Sequence, residues 1–246
     1  MPVWKNEVTM SDKYQRFTNA GSVLFARLGI AASAATLVLL ASLHLLSPEF
    51  DPSWRMVSEY AFGRYGWVLS LMFLCWGVST WALAGAIWSE LGTRAGRVGA
   101  SLLLLAGLGE AMASVFDVGH VIGHTVAGVL GIFGLPVAAL LVSRSLDHAA
   151  AWAAMRAPRR WAAHLTWLSV VLLIATLALM TAQFAHVSGG KLPAHAPKTL
   201  PAGVIGLDGW ADRLLIASFC AWQIIVAWQA IRVRRGADTG GSSGAR

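Results

Sequence analysis

The sequence predicts an all-α integral membrane protein: a bundle of six transmembrane helices with both termini cytoplasmic. Three observations carry this. The chain is 57% hydrophobic and only 13% charged, where soluble domains average about 25% charged residues. Six apolar runs reach the roughly twenty residues a span requires. Finally, the basic residues cluster on alternate connections between those runs.

The predicted spans cover 22–46, 66–89, 97–116, 122–146, 163–186 and 210–232. The first is too long for the apolar part of a signal peptide and follows a polar-mixed segment, 1–21, so it is expected to remain as an anchor. The third and fourth are separated only by "DVGHVIGH" and form a tight hairpin. In the fourth, Gly123, Ala127 and Gly131 repeat every four residues, a small-residue stripe that admits another helix at close range, from this chain or from a partner. Gly134-Leu135-Pro136 then permits a kink. Residues 233–246 end in Gly and Ser and are expected to be a disordered cytoplasmic tail.

Orientation follows from Lys and Arg. Lys5, Lys13 and Arg16 precede the first span. Arg94 and Arg97 follow the second, Arg144, Arg156, Arg159 and Arg160 follow the fourth, and Arg232, Arg234 and Arg235 close the sixth. All lie on one side of a six-span topology, and the positive-inside rule makes that side cytoplasmic. The net charge of +7 is therefore explained by membrane orientation and anionic lipid heads, without nucleic acid. Cys75 and Cys220 both fall in apolar runs and are expected to be packing residues.

The connections 47–65 and 187–209 then face outward. In "SPEFDPSWRMVSEYAFGRYGW", Asp51-Pro52 suits a helix start and Gly63 a stop. Trp54, Val57, Tyr60 and Ala61 would share one face, with Arg55 and Glu59 paired four apart on another. A short amphipathic helix lying in the outer interface is expected. The second connection, rich in Pro and Gly, is either a lid over an outer pocket or an ordinary mobile loop.

The outer side also collects polar chemistry. His44, His120, His124, His186 and His195 map there, with Glu49, Asp51, Glu59, Asp117, Asp208 and Asp212. Such a skew suits a site handling protons, a metal or a polar head group. Asp117, His120 and His124 would share a helical face if the fourth helix began near Asp117. Two His four apart can hold one zinc ion, with a carboxylate as third ligand or ring orienter. The alternative is that Asp117 caps the helix and the histidines bond to backbone or water. Glu110 lies about 10 Å deeper at 1.5 Å per residue. A carboxylate there costs a few kcal/mol unless paired, protonated or facing water, which makes it a functional candidate. Asp212 and Arg213, at the start of the sixth span, complete the candidate ligand or proton site with Glu59, Glu110, Asp117, His120 and His124.

The loop "SPEFDPSWRMVSEYAFGRYGW", the Gly-rich "HTVAGVLGIFGLPVAALLVSR" and the terminal "GLDGWADRLLIASFCAWQIIVAW" together resemble a prokaryotic membrane family called domain of unknown function 998. The resemblance covers most of 22–232. It implies a multi-pass bacterial or archaeal membrane protein and supplies no activity or catalytic residues; a bacterial inner membrane is the expected location. A second, weaker similarity in kind is to alkaline ceramidase-type membrane hydrolases, which combine Ser, Asp and three His around zinc. Ser114, Asp117, His120 and His124 would be the matching residues, with His44, His186 or His195 as third histidine.

Three functions stand from this sequence. The first is binding of a lipid head group or small amphipathic ligand in an outer His/carboxylate pocket, with proton coupling through Glu110. The second is metal-dependent hydrolysis of lipids, and the third an accessory subunit docked through the small-residue stripe.

Overall fold

The computed structural model of the chain describes residues 10–190, 197 and 199–243. Seven α-helices are present: α1 (Met10–Leu46), α2 (Gly66–Ile87), α3 (Arg94–Ala113), α4 (Val121–Gly128), α5 (Gly134–Leu146), α6 (Arg156–Val187) and α7 (Asp208–Ser243). No strand occurs among the described residues. A π-helical turn, Val129–Phe133, fuses α4 to α5 into one span, and 3-10 turns occupy Val57–Phe62, Trp88–Glu90 and Ala150–Met155. Six helical stretches are long and apolar enough to cross a membrane, as the sequence predicts.

The six spans close into a ring. α1 packs on α2, α2 on α3, α3 on α5, α5 on α6, α6 on α7, and α7 returns to α1 while also touching α2 across the middle. Each neighbour but the last pair is consecutive in sequence, which short connections enforce. The apolar window of α7 is 67% buried and that of α6 only 28%. α7 is thus the most buried span and α6 the most exposed.

Without a water-driven hydrophobic gain between helices in lipid, close packing and buried hydrogen bonds hold such a bundle. Gly109 illustrates the first. A Cβ there would lie 2.6 Å from the Ala127 carbonyl oxygen and 2.7 Å from the Gly131 amide nitrogen. Backbone touches backbone, so only glycine fits. The stripe Gly123, Ala127 and Gly131 is therefore used inside the chain: Ala127 and Gly131 face α3, and Gly123 meets the Phe116 ring. α3 covers the face that the sequence left open to a partner.

Pro136 explains the π turn. Proline has no N–H, and its ring crowds the carbonyl one turn earlier. The backbone widens at Val129–Phe133, just ahead of it, in place of a sharp kink.

Several local expectations change. α1 begins at Met10, well before residue 22. α4 begins at Val121, because His120 has non-helical backbone angles (φ −95°, ψ 66°). α7 continues to Ser243, past the point where composition predicts a disordered tail. Arg234 anchors the first added turn: it pairs with Glu90 at 2.5 Å and bonds to Ser89 and Asn19. Cys75 and Cys220 are both free thiols, the latter buried.

Candidate functional site

The connection 47–65 does not lie in the interface as an amphipathic helix. It folds back into the end of the bundle. Asp51 makes an Asx turn, accepting from the Ser53 amide at 2.9 Å and the Ser53 hydroxyl at 2.7 Å; those bonds hold its carboxyl below the usual range. This local bonding competes with a helix start at Pro52, so the helical turn forms only at Val57–Phe62, ended by Gly63. Tyr60 and Val57 are fully buried and Trp54 nearly so. The whole loop presses on the first turn of α7. A Cβ at Gly209 would come within 2.6 Å of the Pro52 carbonyl oxygen and 2.7 Å of that of Arg55.

Arg213 is the pin of this docking. It is 6% exposed. Its Nε donates to His44 Nε2 at 2.7 Å, Nη1 to the carbonyls of Arg55 and Gly209 at 2.8 Å each, and Nη2 to the Tyr60 hydroxyl at 3.0 Å. His44 is fixed in turn by the Leu40 carbonyl, which takes the Nδ1 hydrogen at 2.8 Å. Every acceptor of Arg213 is neutral.

The carboxylates around it are held separately. Asp212 Oδ2 accepts from the Val57 amide at 2.8 Å. Glu59 pairs with Arg55 at 3.1 Å, as the sequence spacing predicts, and accepts from the Met56 amide at 2.9 Å. Burial nevertheless raises the Glu59 carboxyl above its usual range, against the pull of Arg55. Asp208 Oδ1 is buried with no partner among the described residues.

Below this plug lies a cavity of about 90 Å³ between the 3-10 turn, α2, α3, α4, the π turn and α7. Glu110, Asp212, His124 and Trp76 belong to its wall, which is otherwise mostly apolar. At about 30 Å³ per water, it has room for a hydroxyl-bearing head group or a few waters. His124 Nδ1 donates to the Phe116 carbonyl at 2.9 Å, which leaves Nε2 as the ring's remaining polar atom.

Glu110 is fully within the bundle and opens a buried polar chain. Its Oε2 is 2.5 Å from Thr80 Oγ1. Thr80 accepts from Gln223 Nε2 at 2.7 Å, and Gln223 Oε1 accepts from Ser33 at 3.0 Å and from Ser79 at closer range. The chain joins α3, α2, α7 and α1. Thr80 Oγ1 also lies 3.2 Å from the Trp76 carbonyl. Its single hydrogen thus has two acceptors. It donates to Glu110 when that group is a carboxylate, and to Trp76 when Glu110 is a carboxylic acid donating to it. Both states are satisfied at Oε2. The other oxygen, Oε1, is buried and has no partner among the described residues, and the same holds for Trp76 Nε1. Glu110 and Trp76 both line one cavity, and an acceptor and a donor left over on two such residues match a group that both donates and accepts, a hydroxyl or water.

The structure therefore brings Glu59, Glu110, His124, Asp212 and Arg213 to one end and its cavity. It leaves Asp117 and His120 outside. With α4 starting at Val121, these two lie in the preceding turn, where His120 Nδ1 meets Asp117 Oδ1 at 3.0 Å on the exposed surface. That contact holds the Asp117 carboxyl low. His124 turns away to Phe116, so the expected zinc ligands Asp117, His120 and His124 do not converge. Among the described residues no group of three or more His, Cys, Asp or Glu side chains is placed to hold a metal ion. His195 and 191–196, the core of the expected lid, lie outside the described residues. The described flanks do meet the loop: Arg55 Nη1 is 3.5 Å from the Pro197 carbonyl.

Sequence reasoning missed Thr80, Gln223, Ser33 and Ser79. Gln223 was the available signal, an amide in the apolar run "FCAWQIIVAW".

The fold and this cavity define a multi-pass helical membrane protein with a carboxylate buried at mid-bundle. The chain belongs to the family described as protein of unknown function (DUF998), whose model matches residues 30–229. No curated protein matches the chain, and no solved structure does.

Proposed function

We propose that this multi-pass protein binds the polar head of a small amphipathic molecule, or of a lipid, in the cavity beside Glu110, and that Glu110 exchanges a proton as it does so. The observation that carries this reading is that two residues of the cavity wall, Glu110 and Trp76, each hold a buried polar atom, Oε1 and Nε1, with no partner among the described residues. A buried polar atom without a partner costs about 1–3 kcal/mol, and a hydroxyl head satisfies both at once. The apolar remainder of the wall suits an acyl or alkyl stem. Thr80 supports the proton step, because its hydroxyl serves either protonation state without rebuilding the network.

The arginine-rich end is taken as cytoplasmic by the positive-inside rule, so the cavity opens on the outer side of a bacterial inner membrane. A single cysteine at Ser53, in a background lacking Cys75 and Cys220, is expected to react with an impermeant thiol reagent on intact cells. One at Asp238 is expected not to react. The reverse pattern inverts the site.

The binding test uses nanodisc-embedded protein and saturation-transfer NMR. Monooctanoylglycerol is expected to bind saturably and octyl methyl ether, which accepts but cannot donate, to bind far more weakly. Binding in the parent is expected to depend on pH, and the Glu110→Gln variant to lose that dependence. If Glu110→Gln and Glu110→Leu both bind monooctanoylglycerol like the parent at every pH, Glu110 takes no part.

A further inference from the structure

A second cavity, of about 260 Å³, lies between α5 and α6 at the arginine-rich end, away from Glu110. Its wall is Leu140, Ser143, Arg144, Arg160, Ala163 and His164. We propose that it is a binding site for the phosphate of an anionic phospholipid head group.

The hydrogen-bond inventory of the wall is one-sided. Arg160 uses Nε on Asp147 Oδ2 at 2.6 Å, and its two Nη groups have no protein acceptor among the described residues. Arg144 is exposed and forms no ion pair there. His164 Nδ1 accepts from the Trp167 indole at 3.0 Å. An indole only donates, so the ring hydrogen of neutral His164 sits on Nε2. Ser143 is 2% exposed. Its Oγ accepts from Trp222 Nε1 at 3.1 Å, and its own hydrogen has no acceptor among the described residues. Arginine, imidazole N–H and hydroxyl all offer hydrogens, and no wall side chain besides Ser143 offers a lone pair. The ligand they match is an acceptor-only anion, and phosphate is the common one.

The charge count agrees. Asp147 is the one nearby carboxylate among these contacts and is shared by Arg156, Arg159 and Arg160. Arg144 adds a further positive charge that pairs with no carboxylate among the described residues. Such basic pockets between spans bind lipid head groups. The lipid source, in preference to free phosphate, follows from the surroundings. Trp161 and Trp167 are exposed beside the cavity, and exposed indoles mark the membrane interface. Leu165, Leu168 and Leu172 continue as an exposed apolar face down α6, where acyl chains would lie.

The test titrates full-length protein in detergent with dioctanoyl-phosphatidylglycerol, dioctanoyl-phosphatidylcholine and inorganic phosphate, with binding read by calorimetry and native mass spectrometry. Phosphatidylglycerol is expected to bind at one tight site, phosphatidylcholine weakly, and phosphate only at far higher concentration. Arg144→Gln is expected to weaken phosphatidylglycerol about fivefold, the effect of one surface arginine. Arg27→Gln, on α1, is expected to change nothing. Should Arg144→Gln fold poorly, His164→Ala carries the same expectation. Equal binding of the two lipids overturns the proposal, as does unchanged affinity in the folded variants. Phosphate binding as tightly as the lipid overturns the lipid source and makes this a soluble-anion site.

Discussion

Each end of the bundle buries an arginine, and the two are treated differently. At the arginine-rich end, Arg159 is fully buried and meets its counter-ion directly: Nη2 lies 2.5 Å from Asp147, while Nη1 bonds to Gln229 at 2.6 Å and to the Trp152 carbonyl at 3.2 Å. At the other end, Arg213 touches no carboxylate among the described residues. Its hydrogens go to an imidazole, a phenol and two carbonyls, while Asp212 and Glu59 stand nearby on other partners and Asp208 Oδ1 has none among the described residues. The first arrangement is a direct ion pair, although Arg159 Nε is buried with no partner among the described residues. The second keeps opposite charges close but unpaired, beside a cavity, so a ligand or a proton can change how they divide. The difference teaches where to look for function: not where charge is densest but where compensation is indirect.

The largest effect expected is at the closed end. Asp147→Ala leaves Arg159 buried without its counter-ion, which costs about 3–5 kcal/mol. Thermal unfolding in detergent should show a heavily destabilised or unfolded protein. A mild loss would mean that Gln229 and water suffice, and the contrast between the ends would shrink.

A smaller loss is expected from Tyr60→Phe. It strips Arg213 Nη2 of its acceptor and leaves a buried donor unpaired, at about 1–3 kcal/mol. The same variant should also loosen the loop 47–65, seen as faster hydrogen exchange at Val57 and Glu59 but not near Trp152. Exchange rising equally at both ends would show that the two clusters are not independent.

The smallest effect is the pH response of Glu59. Its folded carboxyl titrates above the unfolded value. The stability it contributes is therefore fully present below the unfolded pKa, about 4.3, and is lost as pH rises through the elevated folded value. Glu59→Gln should flatten that part of the melting-temperature profile. Arg55 opposes the burial effect, so the slope is expected to be shallow. A slope of opposite sign would mean that the Arg55 pair outweighs desolvation.

The spans were legible because lipid imposes one rule, about twenty apolar residues in helix, and the sequence obeys it six times. Glu110 was legible for the same reason: a carboxylate breaks the rule. The loop 47–65 was not. Asp51-Pro52 reads as a helix start, yet Asp51 is taken by Ser53, and the segment's face is set by Arg213, far off in sequence. Asp117, His120 and His124 matched a helical face only while the helix was assumed to begin at Asp117. A start at Val121 puts two of them in a turn. Thr80 and Gln223 were invisible as a pair because nothing in either run says that α2 and α7 cross at that height.

The π turn at Val129–Phe133 has a bearing on chain length. A π turn carries one residue more than the α-helix it interrupts. Removing one residue there would restore a regular helix, but each helical residue also turns the chain by about 100°. Val121–Gly128 would therefore swing around its axis relative to α5, taking His124 off the cavity wall and Ala127 off Gly109. In this span a one-residue deletion is a rotation and not a shortening, so the segment can vary in side chain far more readily than in length.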